Sequence, residues 1–133
     1  MAVVAISTYG WARCKFKFTD YLASPLGVWD LDGWSITHAL LFLFLGAKLE
    51  NELELILPFL LGVAWEAFEG LAGKLRPSWL GGGCETAEYE AQYGSWWYAR
   101  ASDIVVNSVF LVLGFYFKSD PGMPPYATLV LDA

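Results

Sequence analysis

Residues 33–49 read GWSITHALLFLFLGAKL, and apolar side chains in this run fall on every side of a helix. A helix that is apolar all round is typical of a segment in lipid, whereas the surface helix of a soluble protein is apolar on one face. Asp30 and Asp32 precede the run, and Ser35 and Thr37 lie in its first turns, where helix caps are expected. The stretch therefore predicts a transmembrane helix over 33–49.

Two further apolar runs follow, at 53–71 (LELILPFLLGVAWEAFEGL) and at 98–117. Roughly 20 apolar residues are needed to cross the hydrocarbon layer, and each run approaches that length. The acidic turn around Glu50 is short, so the first two helices are expected to be antiparallel neighbours. Pro58 is expected to kink the second helix. The predicted fold class is all-α, an integral membrane protein with an antiparallel bundle of about three transmembrane helices.

The remaining segments are expected to lie outside the hydrocarbon layer. Residues 1–32 are predicted to form an interfacial N-terminal arm, since its apolar beginning is too short to span and has no preceding basic residue typical of a signal peptide. The transmembrane domain covers 33–118, with an interfacial loop or short helix at 77–97. Residues 119–133, which contain several prolines, are predicted to form an extended C-terminal tail.

Composition agrees with a membrane protein. Hydrophobic residues make up 56% of the 133 residues and charged residues 17%, against roughly 45–50% and 25% in soluble domains. A soluble fold of this size would leave much of that apolar surface in water, although a soluble bundle of three hydrophobic helices is the alternative. The net charge of −6 excludes the basic surface of a nucleic-acid-binding protein, so no nucleic-acid partner is predicted.

The distribution of basic residues predicts the orientation. Of eight Lys and Arg residues, six fall on the N-terminal side of the predicted bundle and only Lys48 and Lys118 fall opposite. The side with more basic residues is usually cytoplasmic, which places the N-terminus in the cytoplasm and the C-terminus across the membrane. Cys14 and Cys84 lie on the same side, without metal-type spacing, and are therefore expected to be free thiols.

Tryptophan is concentrated on that same side of the predicted bundle. Indole rings are enriched where hydrocarbon meets water, because the ring is apolar and its N–H is polar. The predicted interfacial anchors are Trp29, Trp34, Trp65, Trp79, Trp96 and Trp97.

Polar residues inside the predicted spans converge on one layer. At 1.5 Å rise per residue, all of them lie within roughly 10 Å of the N-terminal-side interface. Those on the second and third spans are spaced three or four residues apart and so share a helix face. Ionisable groups in a bilayer are costly and should therefore face one another. The predicted intramembrane cluster consists of His38, Glu66, Glu69, Asp103 and Asn107.

Three interpretations of this cluster remain open. It is a polar lock between helices, a site for a lipid headgroup or phosphate with Lys74, Arg76 and Arg100 as binding candidates, or a site that handles a metal ion or protons. With one histidine and no HExxH or GxSxG motif, the sequence predicts no metal ligand, no catalytic residue and no cofactor. A bound lipid is compatible with all three.

Over about residues 30–117 the chain resembles the VanZ-like membrane proteins, named for a teicoplanin-resistance protein. The last predicted helix carries Arg100, Asp103 and Asn107 followed by a glycine, as the last helix of that family does. An Asp before His38 and a Glu in the middle helix match as well. The resemblance implies a small polytopic membrane fold with a polar cluster and leaves the chemistry open.

Two functions are compatible with these observations. The chain is predicted to be a non-enzymatic accessory subunit of a larger membrane assembly, contacting lipids and, through residues 1–20 and 120–133, other subunits. The alternative is a stand-alone VanZ-like protein that binds or modifies a lipid-linked cell-envelope component through its His/Glu/Asp cluster. A channel or transporter is disfavoured, because three spans cannot enclose a pathway without oligomerising.

Overall fold

A computed structural model describes residues 2–80, 88, 91–92 and 97–118 of the chain. The predicted tail at 119–133, its subunit contacts, Trp96 and most of the predicted loop at 77–97 lie outside these residues.

The described chain is helical. Four α-helices lie wholly within it: α1 (Ala2–Phe16), α2 (Gly33–Lys48), α3 (Ile56–Leu75) and α4 (Ala101–Tyr116). Short 3-10 turns at Tyr21–Ala23, Glu52–Leu55 and Ser78–Leu80 stand between them, and no strand occurs in this part of the chain. The all-α prediction is confirmed.

Helix α2 begins where its cap predicts. The Asp32 side chain accepts a hydrogen bond from the Ser35 N–H (3.1 Å), and the Ser35 hydroxyl lies 3.3 Å from the Asp32 N–H. This reciprocal pair satisfies two backbone donors that a helix start would leave unpaired. The helix ends at Lys48, one residue before the predicted end.

Helix α3 differs more from its prediction. The acidic segment before it forms a 3-10 turn capped by the Asn51 side chain, which accepts from the Glu54 N–H (3.2 Å). The α-helix then runs from Ile56 to Leu75, four residues beyond the predicted end. Pro58 lies in its first turn, where proline is tolerated, so the expected reason for a kink is absent.

The predicted N-terminal arm contains helix α1, for which no helix was predicted. Tyr9 on α1 contacts the rings of Phe18 and Trp34 and donates a hydrogen bond to Asp20 (3.3 Å). Cys14 is buried and disulfide-bonded, so the prediction of a free thiol is wrong for this residue; Cys84 lies outside the described residues. Long-range contacts, rather than a periodic pattern, hold this helix.

Helices α2 and α4 run in parallel and touch along their backbones. Ser35 meets Asp103 where both helices begin, and Gly46 meets α4 where both end. A Cβ on Gly46 would overlap the Leu111 carbonyl oxygen, and a Cβ on Gly114 would overlap the Leu43 carbonyl oxygen. Small residues at such a crossing let two backbones approach, as is common between helices in membranes.

Helix α3 runs in the opposite direction and packs on α4. Gly70 lies opposite Ala99, before α4 begins, and Gly62 lies opposite Asn107 farther along it. The packing of α2 and α3 against each other is slight by comparison, and the Phe42 ring reaches across to Gly62. A groove therefore remains between α2 and α3, with α4 behind it.

Within the described residues, one helical segment is long and apolar enough to cross a membrane: Glu52–Leu75, which joins the 3-10 turn to α3. Ala101–Tyr116 is apolar but shorter. Only 22% of the apolar window in the longer segment is buried within the chain.

Candidate functional site

Asp103 anchors the polar cluster on α4. It lies in the first turn, where the helix dipole favours a carboxylate, and it is 4% exposed. Its Oδ1 accepts a hydrogen bond from the Ser35 hydroxyl at 2.7 Å. Ser35 thus caps α2 and joins α2 to α4 at the same time.

The single histidine of the sequence lies one turn farther along α2. His38 Nδ1 is 3.0 Å from Oδ1 of Asn107, which lies one turn beyond Asp103 on α4. With the amide oxygen as acceptor, Nδ1 carries the proton. The Asn107 Nδ2 group is buried and has no hydrogen-bond partner.

Glu66 enters the cluster from α3 and is 3% exposed. Its Oε2 accepts the Arg100 backbone N–H at 3.0 Å, which fixes α3 to the start of α4. Its Oε1 lies 3.9 Å from His38 Nδ1, is buried and has no hydrogen-bond partner. One ligand atom each from His38, Glu66 and Asp103 can be chosen so that all three lie within 4.8 Å of one another.

The structure therefore brings four of the five predicted cluster residues into direct or near contact. Glu69, the fifth, lies about one turn from Glu66 and lines the groove instead of joining the three ligand atoms.

The groove between α2 and α3 has a volume of about 690 Å³. One end is polar, with His38, Glu69 and Asp103 in its lining, and is walled by aromatic rings. The other end is apolar and is lined by Leu41, Phe42, Leu45, Leu57, Pro58 and Leu61. Several of these leucines are also open to the surroundings, since Leu57 is 64% and Leu61 60% exposed.

The basic residues predicted to bind a headgroup are not gathered at this groove. The Arg100 guanidinium lies 3.1 Å from Asp32 Oδ2, donates to the Asp30 carbonyl oxygen (2.7 Å) and stacks on the Tyr98 ring. Lys74 and Arg76 lie at the C-terminal end of α3, away from the groove lining. The polar end of the groove thus carries carboxylates and an imidazole, without these three cations.

The predicted tryptophan anchors occupy different environments. Trp29 and Trp79 are 71% and 74% exposed, as interfacial anchors must be. Trp34 and Trp65 are half-buried, and the indole N–H of Trp34 donates to Asp20 (2.8 Å). Trp97 is 3% exposed and donates to the Leu80 carbonyl oxygen (3.1 Å). It packs in the core with Ala72 and Leu80, so the prediction of an exposed anchor is wrong there.

A second polar centre was not foreseen. Asp20, in the loop before α2, accepts hydrogen bonds from the Leu22 N–H (3.0 Å), the Trp34 indole and the Tyr9 hydroxyl. Burial, followed by the negative charge of Asp20, raises the pKa of Tyr9 above its ordinary value. The spacing of its residues in the sequence does not predict this centre, because they come from α1, from the loop before α2 and from α2 itself.

Comparison of the chain with protein-family models, with curated proteins and with solved structures gave no match. The resemblance to VanZ-like proteins therefore depends on the sequence motif alone.

Proposed function

We propose that the chain is a three-span membrane protein, with α2, α3 and α4 as its spans, that binds an amphiphilic molecule in the α2–α3 groove. The observation that carries the proposal is the division of that groove into a polar and an apolar end. A lipid-like molecule would place its head against His38 and Asp103 and its chain along Leu41 and Leu61. No reaction is proposed.

Exposed apolar residues support the membrane assignment. On α2, Ile36, Leu40 and Phe44 are 49%, 62% and 59% exposed, and on α3, Ile56 and Leu60 are 55% and 54% exposed. The core helix of a soluble protein would be mostly buried, whereas these helices turn large apolar side chains outward. Such surface is stable against hydrocarbon and costly in water.

The apolar end of the groove is continuous with this exposed outer surface. Its apolar lining includes Leu41, Leu57 and Leu61, which are more than half exposed, so an acyl chain could enter from the surrounding lipid. At the other end, the buried carboxylate of Asp103 and the half-buried carboxylate of Glu69 favour a polar or charged partner. An amphiphile meets both demands, whereas a wholly apolar or wholly polar ligand meets one.

The test uses the full chain in detergent, with the retained amphiphiles identified by native mass spectrometry. The wild type is expected to keep one class of amphiphile at near 1:1 stoichiometry after detergent exchange. Leu41→Trp should fill the groove and lose it, whereas Leu40→Trp, on the outer face of the same helix, should retain it. Equal retention by both variants, or no retained amphiphile in the wild type, would refute the proposal.

The accessory-subunit role is a second candidate. The observation that favours it is an exposed apolar patch on α1 and the 3-10 turn after α3, where Val4, Trp11 and Trp79 are 70%, 46% and 74% exposed. This patch lies within or beside the predicted contact segment 1–20. Gentle extraction followed by mass spectrometry of co-purifying chains tests this role, and a monomer that carries lipid alone would argue against it.

The orientation of the chain is also a proposal. The distribution of basic residues places the N-terminus in the cytoplasm, but the disulfide at Cys14 is typical of an oxidising compartment. Arg13 is buried and Arg100 is paired with Asp32, so two of the six cations are engaged in the fold itself. Labelling of the Cys14 thiol in intact cells, before and after reduction, distinguishes the two orientations.

A further inference from the structure

The cluster of His38, Glu66 and Asp103 combines deep burial with incomplete pairing. Both carboxylates are less than 5% exposed. Among the described residues, the Arg100 guanidinium makes ion pairs with Asp30 and Asp32. Arg100 contacts Glu66 through its backbone N–H, which donates a hydrogen bond to Glu66 Oε2. Two buried carboxylates without a cation are costly in a low-dielectric interior.

An unpaired atom points into the same space. Glu66 Oε1 is buried, accepts no hydrogen bond and lies 3.9 Å from His38 Nδ1. Within 3.0 Å of that nitrogen lies Asn107 Oδ1, a further oxygen. Asn107 Nδ2 is likewise buried and unpaired, so the amide hydrogen-bonding capacity is not fully used in this arrangement. In the part of the chain that the structure describes, Glu66 Oε1 and Asn107 Nδ2 are thus two buried polar atoms without a hydrogen-bond partner beside His38, between three helices.

The distances fit a bound ion. The three candidate ligand atoms lie within 4.8 Å of one another. Tetrahedral coordination at bond lengths of about 2.0–2.2 Å separates ligand atoms by about 3.4 Å. Side-chain movements of about 1 Å, which rotamer adjustment can supply, would therefore complete a coordination sphere. Because the ligands come from α2, α3 and α4, the ion would hold all three helices together.

We propose that His38, Glu66 and Asp103 bind one divalent transition-metal ion of the Zn²⁺ type. One imidazole nitrogen and two carboxylate oxygens suit Zn²⁺ or Mn²⁺ better than Ca²⁺, which prefers oxygen ligands alone, or Cu⁺, which prefers sulfur. The two negative charges and the ion sum to zero, which relieves the cost of burial. Asn107 Oδ1 would supply a fourth ligand once the imidazole has changed tautomer, with its proton on Nε2 and the lone pair of Nδ1 directed at the ion.

This inference goes beyond the amphiphile proposal, because the ion requires only the three side chains and not an occupied groove. His38 and Asp103 also line the groove, so the ion would lie beside the head of any amphiphile bound there. Metal binding and amphiphile retention are measured separately, and failure of one leaves the other standing.

Because His38 is the sole histidine of the chain, the wild type itself offers a direct test. The full chain is purified without a polyhistidine tag, labelled with ¹⁵N-histidine, treated with a chelator and titrated with Zn²⁺. One imidazole nitrogen resonance is expected to shift to a metal-bound position with saturation at one ion per chain. An imidazole that does not respond to Zn²⁺ would overturn the proposal.

Variants assign the remaining ligands. Glu66→Gln and Asp103→Asn keep the side-chain shape and the capacity to accept hydrogen bonds while removing charge. Each is expected to weaken binding of Co²⁺, followed by its visible absorption, by at least about tenfold. Glu50→Gln, which changes an exposed carboxylate in the turn before α3, is the matched control and should bind as the wild type does.

A purely structural lock predicts a different result. In that case the variants would change stability, followed by circular dichroism during detergent unfolding, with no saturable Co²⁺ absorption in any protein. Unchanged Co²⁺ affinity in both Glu66→Gln and Asp103→Asn would place the ion elsewhere and refute the assignment.

Discussion

Replacing Gly114 with alanine should destabilise the crossing of α2 and α4, although alanine is the better helix former. The added Cβ would overlap the Leu43 carbonyl oxygen and lie 2.9 Å from the Leu43 carbonyl carbon and 3.0 Å from the Ala47 nitrogen. All three atoms belong to the backbone of α2, so no side-chain rotation can relieve the contact. The helices must separate by more than about 1 Å to bring the added Cβ to a van der Waals distance near 3.5 Å from the carbonyl oxygen.

Overpacking costs typically 1–3 kcal/mol, and the upper part of that range, about 2–3 kcal/mol, applies where the added Cβ meets backbone atoms. The intrinsic helix preference of alanine over glycine offsets about 1 kcal/mol of this cost. We therefore expect Gly114→Ala to lower the free energy of unfolding by about 1–2 kcal/mol, a change of about 5- to 30-fold in the unfolding equilibrium. The measurement is unfolding in mixed micelles with increasing dodecyl sulfate, followed by circular dichroism and tryptophan fluorescence.

Gly70→Ala supplies the matched control, since it is the same substitution in the middle of a neighbouring helix. Its Cβ would meet only the Ala99 side chain at 3.3 Å, so its unfolding free energy should stay the same or rise. Gly46→Ala should behave like Gly114→Ala, because its Cβ would lie 2.9 Å from the Phe115 nitrogen. The loss of unfolding free energy in the double variant should be smaller than the sum of the two single losses, because one separation of α2 and α4 relieves both overlaps. If Gly114→Ala were as stable as Gly70→Ala, the close backbone crossing would be wrong.

Three further predictions concern the N-terminal side of the bundle. Arg100→Gln should lower the free energy of unfolding by roughly 3 kcal/mol, because it leaves the buried Asp32 carboxylate without its ion pair; a loss below about 0.5 kcal/mol, the level of an exposed pair, would contradict this. The pKa of Tyr9 is raised in the folded state by burial and by Asp20, so its contribution to stability should be complete below the ordinary tyrosine pKa near 10 and disappear as pH rises through the raised value. Stability measured from pH 8 to 12 should therefore fall more steeply in the wild type than in Tyr9→Phe, and parallel curves would refute the reasoning. Reduction of the disulfide at Cys14 should lower the free energy of unfolding by roughly 2–4 kcal/mol. If a membrane-impermeant thiol reagent labels intact cells only after an impermeant reductant is added, α1 lies on the oxidising side. If it labels the chain only after the cells are opened, α1 lies in the cytoplasm.

Local chemistry made some features of the fold predictable. The start of α2 follows from Asp32 and Ser35, whose side chains can satisfy the first backbone donors without help from the rest of the chain. The all-α class follows from apolar runs too long for strands. The layer of the polar cluster follows from counting residues along three helices, because helical rise depends little on sequence.

Features set by tertiary contact escaped prediction. Helix α1 carries no strong helix signal in the sequence, and it is held by tertiary contacts such as those of Tyr9 with Asp20 and Trp34. Which of Glu66 and Glu69 meets His38 depends on the rotation of α3 about its axis, and residues three apart lie too close on a helix for sequence to choose. Trp97 is likewise distinguished from an exposed anchor only by its bond to the Leu80 carbonyl oxygen.

The position of the groove follows from how the helices are fastened. Gly46 and Gly114 draw α2 and α4 together at the ends of these helices, and Ser35 with Asp103 joins them where they begin. Helix α3 is fastened to α4 instead, through Glu66 and the Arg100 N–H. With α4 as the common partner, α2 and α3 are bridged by the Phe42 ring and by the polar cluster, and the space between them stays open along its apolar length. An ion held by His38, Glu66 and Asp103 would link all three helices at the polar end of the groove alone. The groove would then be rigid at its polar end, where the head of an amphiphile would bind, and able to widen at its apolar end, where the chain would enter.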